Sequence, residues 1–164
     1  MNNYSIIVAI ADNNAIGSKG DLMWHIHDDM IFFRNTTRGH PVLMGRKTWD
    51  SLQKKPLPKR ENIVLTKNKD FAFEGIKIVH SMEEAKQLPD YNTDIFIIGG
   101  QTIYNEFIHL ANTIYLTRIY HHFAEADTFF PEIDMHNWQE IYKSEMHEDE
   151  ESKLKYQFIT LQRK

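Results

Sequence analysis

The sequence predicts an α/β fold. It takes the form of a single domain over residues 1–164, with a central, mostly parallel sheet that ends in an antiparallel C-terminal strand and is flanked by helices. Three observations carry this. Ser5–Ala11 and Ile95–Ile98 are near-continuous apolar runs, the pattern of strands buried on both faces. Strand-like and helix-like segments alternate through the first two-thirds of the chain, as parallel pairing requires. The last two strand-like segments have no helix between them, which places an antiparallel pair at the end of the sheet.

Each element follows from local chemistry. Ser5-Ile6-Ile7-Val8-Ala9-Ile10-Ala11 is the first buried strand. Asp12 to Asp21 reads as a long loop punctuated by Asn13-Asn14, Gly17 and Gly20. Asp28 to Thr36 reads as a helix, opened by acids that suit a helix N-terminus. Pro41 to Gly45 is a short strand, and a helix from Arg46 to Leu52 starts directly after it. Asn62 to Thr66 and Ile76 to Val79 are two more strands. Ser81-Met82-Glu83-Glu84 is a capping-box start to a helix reaching about Gln87. Ile95 to Ile98 ends at Gly99-Gly100, and a helix from Thr102 to about His109 follows. Thr113 to Tyr120 is a strand. Trp138 to Ser144 and Tyr156 to Gln162 form the terminal pair. The acidic stretch Glu145 to Glu151 between them reads as a solvated hairpin tip rather than a binding tail.

Composition narrows the function. The 164 residues suit one domain of ~100–200. Hydrophobic residues at 41% and charged residues at 26% exclude disorder, collagen and coiled coil for the whole chain. Nineteen Lys and Arg against 23 Asp and Glu leave a net charge of −4, which gives no support for nucleic acid or an anionic membrane as partner. The absence of Cys excludes disulfides, thiolate zinc sites and Cys nucleophiles. No apolar run approaches the ~20 residues of a membrane span. Met1-Asn2-Asn3-Tyr4 lacks the basic region of a signal peptide, so a cytoplasmic location is expected.

Three places could carry chemistry. Gly45-Arg46-Lys47-Thr48 joins a strand to a helix: a Gly permits close backbone approach, free N–H groups open the helix, and two cations follow. It is no nucleoside-triphosphatase loop, since five residues separate Gly39 from Gly45 and Arg46 intervenes before Lys47. Phosphate binding and a plain glycine turn are both open for it. Gly99-Gly100-Gln101-Thr102 is a second such joint, and packing is an equal alternative there. Two joints together suit a dinucleotide, whose pyrophosphate and other anionic groups need holding. Third, Asp29 lies three and four residues before Phe32 and Phe33, on one helical face with them. It either caps the helix or is a buried carboxylate awaiting a cationic or amidine-like ligand. His25, His27 and His121-His122 fit no metal-ligand spacing and read as solvent-facing, so no metal is expected.

Together these residues resemble the dihydrofolate reductase family from Ser5 to about Gln162. The likeness runs through Ala15-Ile16-Gly17, Trp24, Asp29, Phe33, Pro41 to Trp49, Leu57-Pro58-Lys59-Arg60, Ile98 to Tyr104, Thr117 and Asp127 to Pro131. Met23 and His27 depart from it, standing where prolines are frequent, and Gln101 stands where a third glycine sometimes occurs. The resemblance implies reduction of 7,8-dihydrofolate with NADPH, inhibition by antifolates, and a monomer. It implies that Asp29 accepts two hydrogen bonds from the pterin and promotes its protonation, with Thr117 supporting the network. Leu22 and Trp24, on the loop from Gly17 to Trp24 that would close over the nicotinamide, are grouped with them as catalytic. Asp127 would lie on the loop that buttresses this one. Ile7, Val8, Ala9, Phe33, Leu52 and Leu57 would line the pterin and benzoyl pocket, and Arg60 would pair with the glutamate carboxylate. Ala9, Ile16, Ile98 and Tyr104 would surround the nicotinamide. Gly45, Arg46, Lys47, Thr48, Gly99, Gly100, Gln101 and Thr102 would hold the phosphates. Thr66 and Lys67 would meet the 2′-phosphate, and Gly17, Leu65 and Ile103 complete the cofactor set.

Overall fold

The structure, a computed structural model, describes residues 2–164. The apolar runs become the inner strands of one sheet. β1 (Asn3–Ile10) lies between β6 (Asp94–Gly99) and β7 (Thr113–Ile119), parallel to both. β3 (Val42–Gly45), β4 (Asn62–Leu65) and β5 (Lys77–Val79) continue outward from β6, all parallel. On the other side, β11 (Lys155–Arg163) pairs antiparallel with β7, and β9 (Trp138–Lys143) pairs with β11, as the terminal segments suggested.

Alternation along β1 assigns the faces. Ile6, Val8 and Ile10 enter a core with Ile103, Tyr104 and Phe107 of helix α4 (Gln101–Phe107) and Ala85 of α3 (Met82–Lys86). Ile7 enters a second core with Met44, Phe96, Trp49 of α2 (Arg46–Ser51), and Phe32 and Phe33 of α1 (His27–Thr37). Each fully buried aliphatic side chain contributes about 1.5–3 kcal/mol, so a sheet covered on both faces is strongly favoured. Ser81 caps α3, its Oγ accepting the Glu84 N–H at 3.0 Å.

Two expectations need correction. Asp12 to Asp21 is not all loop: Asp12–Asn14 makes a 3₁₀ turn, and β2 (Ala15–Gly17) pairs with β8 (Thr128–Phe129). Nor is Glu145 to Glu151 all hairpin tip, because β10 (His147–Glu148) pairs with Tyr156 and Lys155. Both strands are too short to show an alternating pattern, and distant partners specify them.

Candidate active site

Asp29 sits in the first turn of α1. The helix begins after Ile26, whose side chain makes no cap hydrogen bond, so Asp29 is free to turn toward the sheet. Its Oδ1 accepts the Thr117 hydroxyl at 2.6 Å. Thr117 is 2% exposed on β7 and stands opposite Ala9 of β1. The carboxylate faces Thr117 on the sheet, and the helix start has no side-chain cap hydrogen bond. Burial raises its pKa, and the Thr117 hydrogen bond partly offsets that rise.

The two glycine joints meet one strand away. Met44 pairs with Gly99, so the ends of β3 and β6 lie side by side. A Cβ on Gly99 would stand 3.3 Å from Thr48 Oγ1 and 3.4 Å from the Tyr104 hydroxyl, and the residue has φ +126°. A Cβ on Gly45 would stand 3.4 Å from Ile103 Cγ1 and 3.9 Å from the Gly100 nitrogen. The N-cap glycines of α2 and α4 offer no side-chain cap. Tyr104 ties this cradle to β1: its hydroxyl donates to the Ile7 carbonyl at 2.9 Å. Burial first, and the Asp29 charge second, push the Tyr104 pKa far up, so it stays a donor.

Apolar walls rise beside Asp29. Phe33, Leu52 and Leu57 pack against the core that contains Ile7. At the end of this wall the buried Asn62 shapes the loop carrying Arg60, accepting the Leu57 N–H at 2.9 Å and donating to the carbonyls of Leu57 and Arg60. Arg60 in turn donates to the Pro58 carbonyl and to Thr37 Oγ1, both at 2.8 Å. With Arg34, Arg38, Pro58 and Lys59 it lines a pocket of about 170 Å³. Burial, then the charges of Arg38 and Arg34, hold its pKa below the usual value. Arg34 lies in the last turn of α1 and Arg38 at its C-cap, and no sequence motif marks either as a site residue.

The remaining expected residues are placed unevenly. The long loop is pinned to the 125–130 segment: the Lys19 N–H donates to Asp127 Oδ2 at 2.9 Å, and the Asp127 N–H to the Gly17 carbonyl at 3.0 Å. Gly17 is sterically required, since a Cβ would stand 2.8 Å from Thr128 Oγ1 and 2.9 Å from the Asp21 carbonyl oxygen. Trp24 is buried near Tyr156 and Ile26, and among the described residues its Nε1 has no hydrogen-bond partner. Leu22 is 62% exposed and is not brought to Asp29. Ile98 packs against the Asp29-side core, whereas Val8, Ile16, Leu65 and Ile103 pack in the core on the other face. Val8 therefore offers the Asp29 side only backbone. Arg46 is engaged within the protein, pairing with Asp50 at 3.0 Å and lying 4.1 Å over the Phe71 ring. Gln101 Oε1 accepts the Phe129 N–H at 2.7 Å. Thr66 is buried, and its hydroxyl accepts the Asn68 N–H at 3.1 Å. Lys47, Lys67 and Thr102 are exposed, as are His25 and His27. A shallow depression lined by Glu132 to His136 is formed by consecutive residues of one loop and includes none of the site residues.

Known proteins resemble this chain over most of its length. The family model described as dihydrofolate reductase matches residues 3–163. The dihydrofolate reductase of Bacillus subtilis is 36% identical over 160 residues, covering 98% of this chain and 94% of that one. That of Neisseria gonorrhoeae is 42% identical over 141 residues, 86% of each chain. Among solved structures, the dihydrofolate reductase from Enterococcus faecalis complexed with NADP(H) and RAB-propyl matches with a TM-score of 0.88 at 34% identity. That match covers 98% of this chain and 96% of that one.

Proposed function

The chain belongs to the dihydrofolate reductase family, and we infer from that membership that it reduces 7,8-dihydrofolate to 5,6,7,8-tetrahydrofolate with NADPH. This places it in one-carbon and nucleotide-precursor metabolism. The observation that carries the residue assignment is the Asp29–Thr117 pair, a carboxyl with a raised pKa between an apolar wall and a glycine cradle.

The reaction adds a hydride to one pterin carbon and a proton to the adjacent nitrogen. The Asp29 carboxylate accepts two hydrogen bonds from the amidine-like pterin edge, a geometry suited to a carboxylate. Its charge favours the protonated pterin, and water carries the proton to the ring nitrogen. Thr117 holds the carboxyl by donating to Oδ1. Ile7, Phe33, Leu52 and Leu57 exclude water from the ring faces. The glycine cradle fits a dinucleotide, because a Cβ at Gly45 or Gly99 would fill the space where the joints meet. Gly45, Thr48, Gly99, Gly100 and Thr102 would hold NADPH, which supplies the hydride when bound.

Cofactor choice is a first expected outcome. Lys47 is an exposed cation just after the cradle strand β3, and Lys67 an exposed cation just after β4, which pairs with β3. Charge-assisted contacts are worth about 1.5–3 kcal/mol, so NADPH should be preferred over NADH by more than tenfold. Lys67→Gln should narrow that preference. Equal kcat/KM for the two cofactors would overturn the 2′-phosphate assignment.

Arg60 gives a second. Losing one charge-assisted pair with the glutamate tail should raise the Kd of dihydrofolate in Arg60→Leu by roughly 10–100-fold. A pterin lacking the tail should bind as before. Equal losses for both would mean that Arg60 acts through Thr37 and the loop alone. Comparing dihydrofolate with a tailless pterin and a pyrimidine intermediate, by NADPH absorbance, tests the substrate class itself. Asp29 together with Arg60 favours the folate, because the pair reads both ends of it.

A further inference from the structure

The first turn of α1 carries two neighbouring carboxylates, and the mechanism uses only Asp29. Asp28 Oδ2 accepts a hydrogen bond from the Tyr156 hydroxyl at 3.1 Å. Tyr156 is 1% exposed on β11 and pairs with Ile119, two residues along from the Phe158–Thr117 pair. The hydroxyls that hold Asp28 and Asp29 thus come from adjacent, paired strands.

Besides the Thr117–Asp29 hydrogen bond and the burial of Ile26, the helix start has no side-chain cap to fix it. Its N-cap, Ile26, supplies no side-chain cap, and its first residue, His27, is exposed. The Tyr156 ring, in contrast, is immobilised. His147 stacks on it at 5.4 Å with 24° between the planes, and Phe158 meets it edge-on at 5.6 Å. Phe158 also packs on Phe32 of α1 at 4.7 Å. Successive helical residues diverge by ~100° about the axis. Anchoring Asp28 therefore sets the direction in which Asp29 points.

We propose that Tyr156 is a positioning residue for the reaction: through Asp28 it pins the first turn of α1 to β11 and so keeps the Asp29 carboxyl on Thr117. This rests on the role given to Asp29 above. Burial and the adjacent Asp28, Asp149 and Asp29 push the Tyr156 pKa to about 12, so the phenol remains a donor at physiological pH. The other titratable groups around it are His147, stacked on its ring, and His25, whose charge acts on Asp149.

Four substitutions test this, read by single-turnover hydride transfer and by carboxyl NMR of Asp29, assigned with Asp29→Asn. Tyr156→Phe and Asp28→Ala should each slow hydride transfer roughly tenfold, since a small misplacement of a reacting group is costly. Both should lower the Asp29 pKa toward the ordinary carboxylate range, as solvent reaches a loosened turn. NADPH affinity should not move. The double variant should be no slower than either single one. Asp28→Asn keeps an acceptor and should behave as wild type. His27→Pro should restore Tyr156→Phe. Proline at the first helical position fixes φ and sacrifices only an unpaired first-turn N–H. Ile26 already has the extended φ −120°, ψ 113° near that of residues before proline. The proposal is overturned if Tyr156→Phe loses thermal stability with hydride rate and Asp29 pKa unchanged, or if Asp28→Asn behaves like Asp28→Ala. A wild type that does not reduce dihydrofolate would instead refute the functional reading, and the NMR arm would still decide the tether.

Discussion

Asp29→Asn should lower turnover at neutral pH by at least ~10²-fold, the usual scale for assisted proton transfer. The amide keeps the shape and can still accept the Thr117 hydroxyl, but it carries no charge to favour a protonated pterin. Acid should partly rescue the variant, because solvent protons then reach the dihydrofolate before the hydride. Stability should move the other way. Burial raises the Asp29 pKa, so the native state binds this proton more tightly than the unfolded chain. The stabilisation from that proton is fully present below the unfolded pKa and is lost as pH rises through the native one. Wild type should therefore lose stability relative to the Asn variant between acid and neutral pH. Circular dichroism melts across that window check the sign. Parallel melting curves for the two forms at every pH would mean that the carboxyl is not desolvated.

Gly99→Ala should have the next largest effect. An alanine at φ +126° is strained by ~1–3 kcal/mol, and its Cβ would press on Thr48 Oγ1 and the Tyr104 hydroxyl at 3.3 and 3.4 Å. At about 2–4 °C per kcal/mol for a domain of this size, the melting temperature should fall by several degrees. The NADPH Kd should rise more than tenfold, since the same Cβ occupies the cradle. Gly75→Ala separates the two causes. Gly75 also has a positive φ, +86°, with nothing within 4 Å of its Cβ. It should cost stability and leave NADPH binding intact. If both variants bind NADPH equally well, the joint at Gly99 is a packing turn and no cofactor site.

The elements that sequence reading recovered are those whose stability is local or whose burial is complete. Ile95–Ile98 could hardly be anything but an inner strand, and Ser81 with Glu84 announces its own cap. The site was legible only as pieces. Thr117 lies 88 residues from Asp29, and no spacing rule connects them. The two glycine joints stand 54 residues apart in sequence, and only the β3–β6 pairing, with Met44 beside Gly99, brings them together. Other expected site side chains have partners within the protein. Arg46 and Asp50 stand at i, i+4, a spacing visible in the sequence that already offers the cation a partner. The Gln101 oxygen takes the Phe129 N–H from a strand too short to foresee.

The most direct measurement is stopped-flow hydride transfer from NADPH to dihydrofolate, for wild type and Asp29→Asn, from mildly acidic to mildly alkaline pH. The account predicts rapid, stoichiometric NADPH loss by wild type at neutral pH, with a gentle decline toward alkali. It predicts at least a ~10²-fold slower step for the Asn variant at neutral pH, accelerating toward acid. A folded Asn variant with wild-type rates and an unchanged pH profile would contradict it, as would a folded wild type that consumes no NADPH when dihydrofolate is added.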